Sequence, residues 1–362
     1  MKDIPLSYRY SEDFPPDFDM IDTPHDAMHF EPFDTALLLF NQKLTPTYLN
    51  NDRSAMKKQY YHTTITNLFI AAGTIAVIAI TLQLINKSLD LRPIFNLPSM
   101  AVEIIVTLFA LVAVISGIIS RFHRQWLLDR HKAERIRFLK FRFLLRPSLW
   151  NNDETSLIDT RRDLDTALKE IERIKYRDIE HWLTESIIPE PLQTIRYHGE
   201  NEKVRAFVNY YRKKRIEYQI NYYYKKIKNL GDLNDKTIKI PVILFFLGVV
   251  AILGHFLIDL LYETSEMLWV FSVILSGCAI ILPFLGVAVR SFRLSIEVSR
   301  GGILFKEKYT ALASMDLQLL QLCDEIEGNF DGILNTIQKC EEFLETEHRE
   351  WLLLIKNSDY LL

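Results

Sequence analysis

Four apolar runs, at 65–85, 100–120, 240–261 and 268–289, constrain this chain more than any other feature of its sequence. Each is about 20 residues long, and a helix of that length rises about 30 Å, the thickness of a bilayer's hydrocarbon core. The third run begins Ile240-Pro-Val-Ile-Leu-Phe-Phe-Leu-Gly-Val-Val-Ala-Ile-Leu-Gly, almost without a polar interruption. A core helix of a soluble protein keeps a polar stripe, and these runs have none. They predict an all-α membrane protein with four transmembrane helices arranged as two hairpins, each hairpin joined to long polar helices.

Charge sets the expected orientation. Residues 121–146 carry nine Lys and Arg against Asp129 and Glu134, and residues 203–228 carry nine against Glu217. The links inside the hairpins are short, one nearly neutral and one containing Glu263-Thr-Ser-Glu266. Lys and Arg flanking a span mark its cytoplasmic side, so both termini and the long middle segment are expected in the cytoplasm. The net charge of −3 conceals this asymmetry, because the first 34 residues hold nine Asp and Glu against Lys2 and Arg9. That start has no apolar core for a cleavable signal peptide. Cys278, Cys323 and Cys340 are too scattered for a disulfide framework or a metal-ligand spacing.

One plan is used twice. Each half has a polar helix ending in aromatics (Gln59-Tyr-Tyr-His62, then Gln219-Ile-Asn-Tyr-Tyr-Tyr224), a hairpin and a basic helix. Each closes on an acidic helix with a tryptophan, at 178–182 and 345–351. A period of about 165 residues is far too long for a solenoid and points to domain duplication. The expected segments are an acidic, tail-like region at 1–45, disordered or ordering only on a partner; a first two-span unit at 46–186; a linker at 187–202 with Pro189 and Pro191; and a second two-span unit at 203–362. Leu157, Leu164, Leu168, Ile171 and Ile174 recur at helical spacing, as do Leu312, Met315, Leu319 and Leu322. A break at 329–332 precedes an expected last helix over 333–356.

The chain has no phosphate-binding loop, no Gly-x-Ser-x-Gly, no His-Glu-x-x-His and no Gly-x-Gly-x-x-Gly. Its nine histidines are dispersed, and Glu180-His181 and Glu347-His348 are adjacent pairs that point to different helix faces. No catalytic residues, metal ligands or cofactor are expected; the chain reads as a non-enzyme. Candidate groups of another kind are present. Glu103, Asp259, Glu263 and Glu266 lie toward the non-cytoplasmic end of the spans. They either reach for the headgroups or, in an oligomer, form an acidic ring at a pore mouth that favours cations. Gly277 with Pro283 offers a bend or gate in the fourth span, and Gly248, Gly254 and Gly286 offer small faces for helix packing.

The segment before the third span interleaves cations with aromatics. On an ideal helix Arg212, Arg215, Gln219, Tyr222 and Lys226 share one face, and Tyr211, Lys214, Tyr218 and Lys225 the next. Together with Lys213 these residues suit phosphates and stacked bases. The competing reading is a positive-inside flank resting on anionic lipid.

The second half resembles the SLATT family, the two-transmembrane effector domains that accompany nucleotidyltransferase-like and nucleotide-sensing proteins of prokaryotic defence systems. The resemblance is carried by Arg215-x-x-x-Gln219-x-x-Tyr222-Tyr223-x-Lys225, the helix over 290–322, and Glu342-x-Leu344-x-x-Glu347-x-x-x-Trp351. The first half is similar through Gln59-Tyr60-Tyr61 and Trp126-x-x-x-Arg130-x-x-Ala133-Glu134-Arg135, so the likeness covers roughly residues 50–355 as a tandem. It implies a pore-forming or membrane-depolarising effector in the prokaryotic cell membrane that acts when infection is sensed. It transfers no ligand site, and two hairpins without a sensor domain depart from the family's usual plan. The expectation is a homo-oligomer, a tetramer for preference. It would form an ion channel gated from the cytoplasm by a nucleotide, an oligonucleotide or a partner protein such as a defence-system nucleotidyltransferase. The rival is a non-conducting membrane scaffold or sensor that binds a cytoplasmic partner through its helices. A transporter with paired repeats fits less well, because no span carries a central charge.

Overall fold

A computed structural model describes residues 14–23, 34–89, 104–105, 108, 112, 122–146, 149, 154–184, 201–261, 266–295, 298–324 and 330–358. Among them the regular structure is all helical, with no strand. In chain order the helices are α1 (Asp34–Ser88), α2 (Phe122–Leu144), α3 (Glu154–Arg173), α4 (Tyr176–Thr184) and α5 (Asn201–Tyr211). A π-helical stretch, Arg212–Glu217, leads into α6 (Tyr218–Leu261), followed by α7 (Glu266–Ser295), α8 (Val298–Asp324) and α9 (Phe330–Ser358).

The helices divide into two compact units, and each unit draws on both halves of the sequence. The polar unit comprises Met1–Gln59, His123–Lys225 and Phe305–Leu362; the apolar unit comprises Tyr60–Phe122 and Lys226–Leu304.

Three stretches are long and apolar enough to cross a membrane: within Asp34–Asn86, at Lys239–Ile258 and at Met267–Ser291. They coincide with the first, third and fourth expected spans. Their large side chains are left exposed, among them Phe245, Phe246, Leu253, Phe256, Leu257 and Met267. Apolar surface on this scale marks a membrane-facing helix. The expected second span lies largely outside the described residues; Ile104, Ile105, Leu108 and Val112 within it are helical and exposed.

Close packing inside the apolar unit relies on glycine. A Cβ at Gly248 would fall 2.7 Å from Cγ of Pro283, and one at Gly286 would fall 3.3 Å from the Pro241 carbonyl oxygen, so α6 and α7 approach at both points. A Cβ at Gly277 would overlap Ile85 of α1. His255 on α6 and Ser272 on α7 add a polar link, Nδ1 to Oγ at 2.7 Å.

In the polar unit α3 follows the expected apolar spacing, burying Leu164, Leu168 and Ile171. The spacing that runs through Ile174 breaks there: Ile174 and Lys175 are not helical, and the chain starts α4 afresh. The Asp178 carboxylate accepts from the Lys175 backbone N–H at 2.8 Å, half of a capping box that satisfies one donor at the new helix start. Trp126, Leu127, Ile179, Leu183, Leu352 and Ile355 form an apolar cluster, with Trp182 and Trp351 packed against it. The closing tryptophans of the two sequence halves therefore share one core.

Candidate anion site in the polar unit

Residues 14–23 belong to the acidic start of the chain that the sequence reads as a tail, yet Asp19, Met20 and Asp22 are buried. Asp17 begins a tight turn with a left-handed backbone (φ 56°), a conformation that Asp tolerates better than most residues. Its carbonyl accepts from Met20 N at 2.9 Å and Ile21 N at 3.0 Å, and its carboxylate accepts from the Tyr48 hydroxyl at 2.7 Å. Phe14 and Phe18 pack against each other and against Tyr218, which fixes the turn on α6.

The turn aims two carboxylates and three carbonyls at four buried cations. From α2, Lys140 Nζ donates to the Asp22 carboxylate at 2.7 Å, to the Asp19 carbonyl at 2.7 Å and to the Met20 carbonyl at 3.4 Å. Arg137 Nε lies 2.8 Å from Asp19 Oδ2. From the π-helical stretch, Lys214 Nζ donates to the Ile21 carbonyl at 3.0 Å, lies 3.5 Å from Asp22 Oδ1 and sits 3.9 Å above the Phe18 ring. Arg215 Nη1 is 3.5 Å from Asp19 Oδ2. The Tyr210 hydroxyl completes the cradle, donating to Asp22 at 2.9 Å.

The cation-bearing stretches are enclosed on more than one side. In the π-helical stretch Lys214, Arg215 and Ile216 are consecutive and all buried, as are Ile136, Arg137 and Phe138 on α2. π-Helical stretches recur at functional sites.

The arginines also pair with carboxylates that the helices supply. Arg215 binds Glu341 of α9 through Nε and Nη2, both at 3.0 Å, and Arg137 binds Glu134 one turn away at 2.6 and 2.7 Å. Burial alone would lower the pKa of each guanidinium. Asp19 and Glu134 around Arg137, and Glu341 around Arg215, outweigh it and raise both above the usual arginine value. At Lys140 burial wins over the opposing pull of Asp22, and its pKa is lowered.

Of the sequence-derived ligand candidates, Lys214, Arg215 and Tyr218 meet at this site. Arg212 turns to Asp316 of α8, with bonds of 2.6 and 2.9 Å, while Lys213, Tyr222 and Lys225 are exposed and Lys226 falls in the apolar unit. Sequence reasoning missed Arg137, Lys140, Asp19, Asp22 and Glu341. The available signal was Phe14, Phe18 and Met20 interleaved with aspartates, unlike a solvated tail. Of the pore candidates, Glu103 and Glu263 lie outside the described residues; Asp259 is in α6 and Glu266 begins α7, with side chains outside the description. Gly277 and Pro283 stand at the helix contacts given above. Among the described residues no group of His, Cys, Asp and Glu side chains is arranged to hold a metal.

No family model, curated protein or solved structure matches this chain.

Proposed function

We propose that this chain is the subunit of an oligomeric transmembrane effector. It is a channel or depolarising pore of the prokaryotic cell membrane, gated from the cytoplasm and used in antiviral defence. The observation that carries the reading is the pairing of long, laterally exposed apolar helices with a densely charged helical unit in the same chain. We read the chain as four spans in two hairpins with both termini cytoplasmic, the topology in which a phosphate-bearing regulator or a partner protein of the cytoplasm would reach the charged segments. The likeness to the SLATT family supplies the class of activity. Glu103, Asp259, Glu263 and Glu266 are the groups proposed to set cation preference, and an oligomer provides the aqueous path that one chain of four spans lacks.

Purified protein in liposomes, read with a potential-sensitive dye under an imposed potassium gradient, tests the proposal. Ion flux that depends on the protein supports it. Intact, oligomeric protein that leaves the potential unchanged under every nucleotide tried favours the non-conducting scaffold.

A further inference from the structure

We infer that the turn over residues 17–22 is a built-in anionic plug. It occupies a binding site for a small phosphate-bearing ligand formed by Arg137, Lys140, Lys214 and Arg215. The inference rests on the reading of a cytoplasmically regulated effector and names the site of that regulation.

The charge balance within the polar unit is the first ground. Four buried cations face four buried carboxylates: Glu134 and Glu341, which belong to helices α2 and α9, and Asp19 and Asp22, which belong to the turn. If the turn leaves, the helices keep their own two carboxylates and the site carries a surplus of two positive charges in a low-dielectric setting. Buried cations left without counter-charge are strongly destabilising, so an open site demands an anion.

The second ground is the pattern of acceptors. Lys140 and Lys214 together receive oxygen atoms from Asp19, Met20, Ile21 and Asp22, a close set of backbone and carboxylate oxygens around two ammoniums. A diphosphate offers the same thing, several oxygens and two or more negative charges in a small volume. Arginine forks and lysine point charges are the side chains that bind it best.

The third is that the aspartates fit imperfectly. Asp19 is fully buried, yet its Oδ1 accepts no hydrogen bond among the described residues. Arg137 Nε lies within ion-pair distance of Asp19 Oδ2 but lacks hydrogen-bond alignment, and it too finds no hydrogen-bond partner among the described residues. A buried acceptor left unsatisfied weakens the turn's hold. A tetrahedral phosphate, with three oxygens where a carboxylate has two, can meet donors that a planar group misses. The left-handed Asp17 adds a further cost to the plugged form.

The test uses the full-length protein in detergent micelles, with pyrophosphate as the probe. Met20 is fully buried in the plugged form, so Met20→Cys, compared with the unsubstituted protein to account for its native cysteines, reports release of the turn. Pyrophosphate should accelerate alkylation at position 20, located by peptide mass spectrometry. Calorimetry on Asp19→Asn/Asp22→Asn, with folding checked by circular dichroism, gives the affinity. If the plugged form holds about nine tenths of the population, removing its charge tightens pyrophosphate binding about tenfold. Lys140→Met should weaken binding in both backgrounds. The inference is overturned if position 20 stays shielded at saturating pyrophosphate. It is also overturned if the folded Asn variant binds no more tightly than the parent, or if neither binds. None of these readings needs ion flux, so a protein that does not conduct leaves this outcome untouched.

Discussion

Arg215 and Glu341 face each other as fork and carboxylate, Nε to Oε1 and Nη2 to Oε2, each at 3.0 Å, with both side chains buried. The Arg215 guanidinium also lies 5.2 Å from the Phe138 ring centre and 4.8 Å from that of Phe141, so its flat faces are covered as well as its edge. The Tyr211 hydroxyl donates to Glu341 Oε1 at 2.7 Å.

Removing one partner of such a pair leaves the other charged and buried. Glu341→Ala is therefore expected to lower the stability of the polar unit by roughly 3–5 kcal/mol, read from denaturant unfolding followed by tryptophan fluorescence. Arg215→Lys should also destabilise, since an ammonium cannot make the two parallel bonds. The apolar double variant Arg215→Met/Glu341→Leu should recover much of the Glu341→Ala loss. Equal losses in the single and double variants would show that packing, not charge pairing, dominates here.

A second buried pair responds to pH. His131 Nδ1 and His348 Nε2 lie 3.2 Å apart with nearly parallel rings, so one must donate and the other accept. Burial, and then the neighbouring His348, holds His131 down to about 2, while burial holds His348 down to about 4 against the pull of Glu134. Arg130, Arg135 and Arg137 also disfavour a charged His348, and Lys132 a charged His131. Both folded pKa values lie below the ordinary 6.5, so the unfolded chain binds more protons in that window. Their contribution is complete above about 6.5 and is lost as pH falls through the folded values. Glu347 runs the other way: burial, and then Glu134, raises it to about 7, so its share is present at low pH and lost as pH rises from the usual 4.5 to 7. Two histidines against one glutamate leave a net loss on acidification. The melting temperature should fall between pH 6.5 and 5, and fall less in His131→Asn/His348→Asn. An unchanged slope in that variant would place the acid sensitivity elsewhere.

The apolar helices were legible because a span is a local property: about 20 apolar residues in a row declare themselves without a partner. The polar unit was not, because its order comes from pairs far apart in sequence. Asp22 and Lys140 are separated by 118 residues, and Arg215 and Glu341 by 126. An aspartate-rich stretch reads as solvated until its cations are found. The same gap made Lys213, Lys214 and Arg215 all read as ligand candidates. The structure exposes Lys213 and buries the other two, so reversing all three charges would disrupt the fold as well as any ligand contact. The division into a polar and an apolar unit was hidden for another reason: α1 and α6 each contribute residues to both, so no linker composition marks the boundary.

Topology is open to direct measurement. A cysteine placed at Ser265, in the link between the last two spans, should react with a membrane-impermeant maleimide added to intact cells. One at Ser148 should react only after permeabilisation. The parent protein provides the background from its three cysteines. Labelling of position 148 from outside would invert the orientation derived from Lys and Arg.

Glycine contacts in the apolar unit give a ranking that composition alone cannot. At Gly248 an added Cβ would lie 2.7 Å from Cγ and 2.8 Å from Cδ of Pro283. That ring is tied to the α7 backbone and cannot swing aside, so relief requires α6 and α7 to move apart. At Gly277 the obstacle is Cδ1 of Ile85, the free end of a side chain that can change rotamer. At Gly73 no atom lies within 4 Å of the added Cβ. Overpacking against stiff neighbours costs about 1–3 kcal/mol, whereas Ala in place of Gly in an unobstructed helix gains up to roughly 1 kcal/mol. Gly248→Ala should therefore destabilise most, Gly277→Ala less, and Gly73→Ala least or not at all, measured by thermal unfolding in detergent. If Gly277→Ala is the most harmful of the three, the contact between α1 and α7 is stiffer than Ile85 suggests. The proposed bend at Gly277 would then need a pivot elsewhere, at Pro283 and the Gly248 contact it fills.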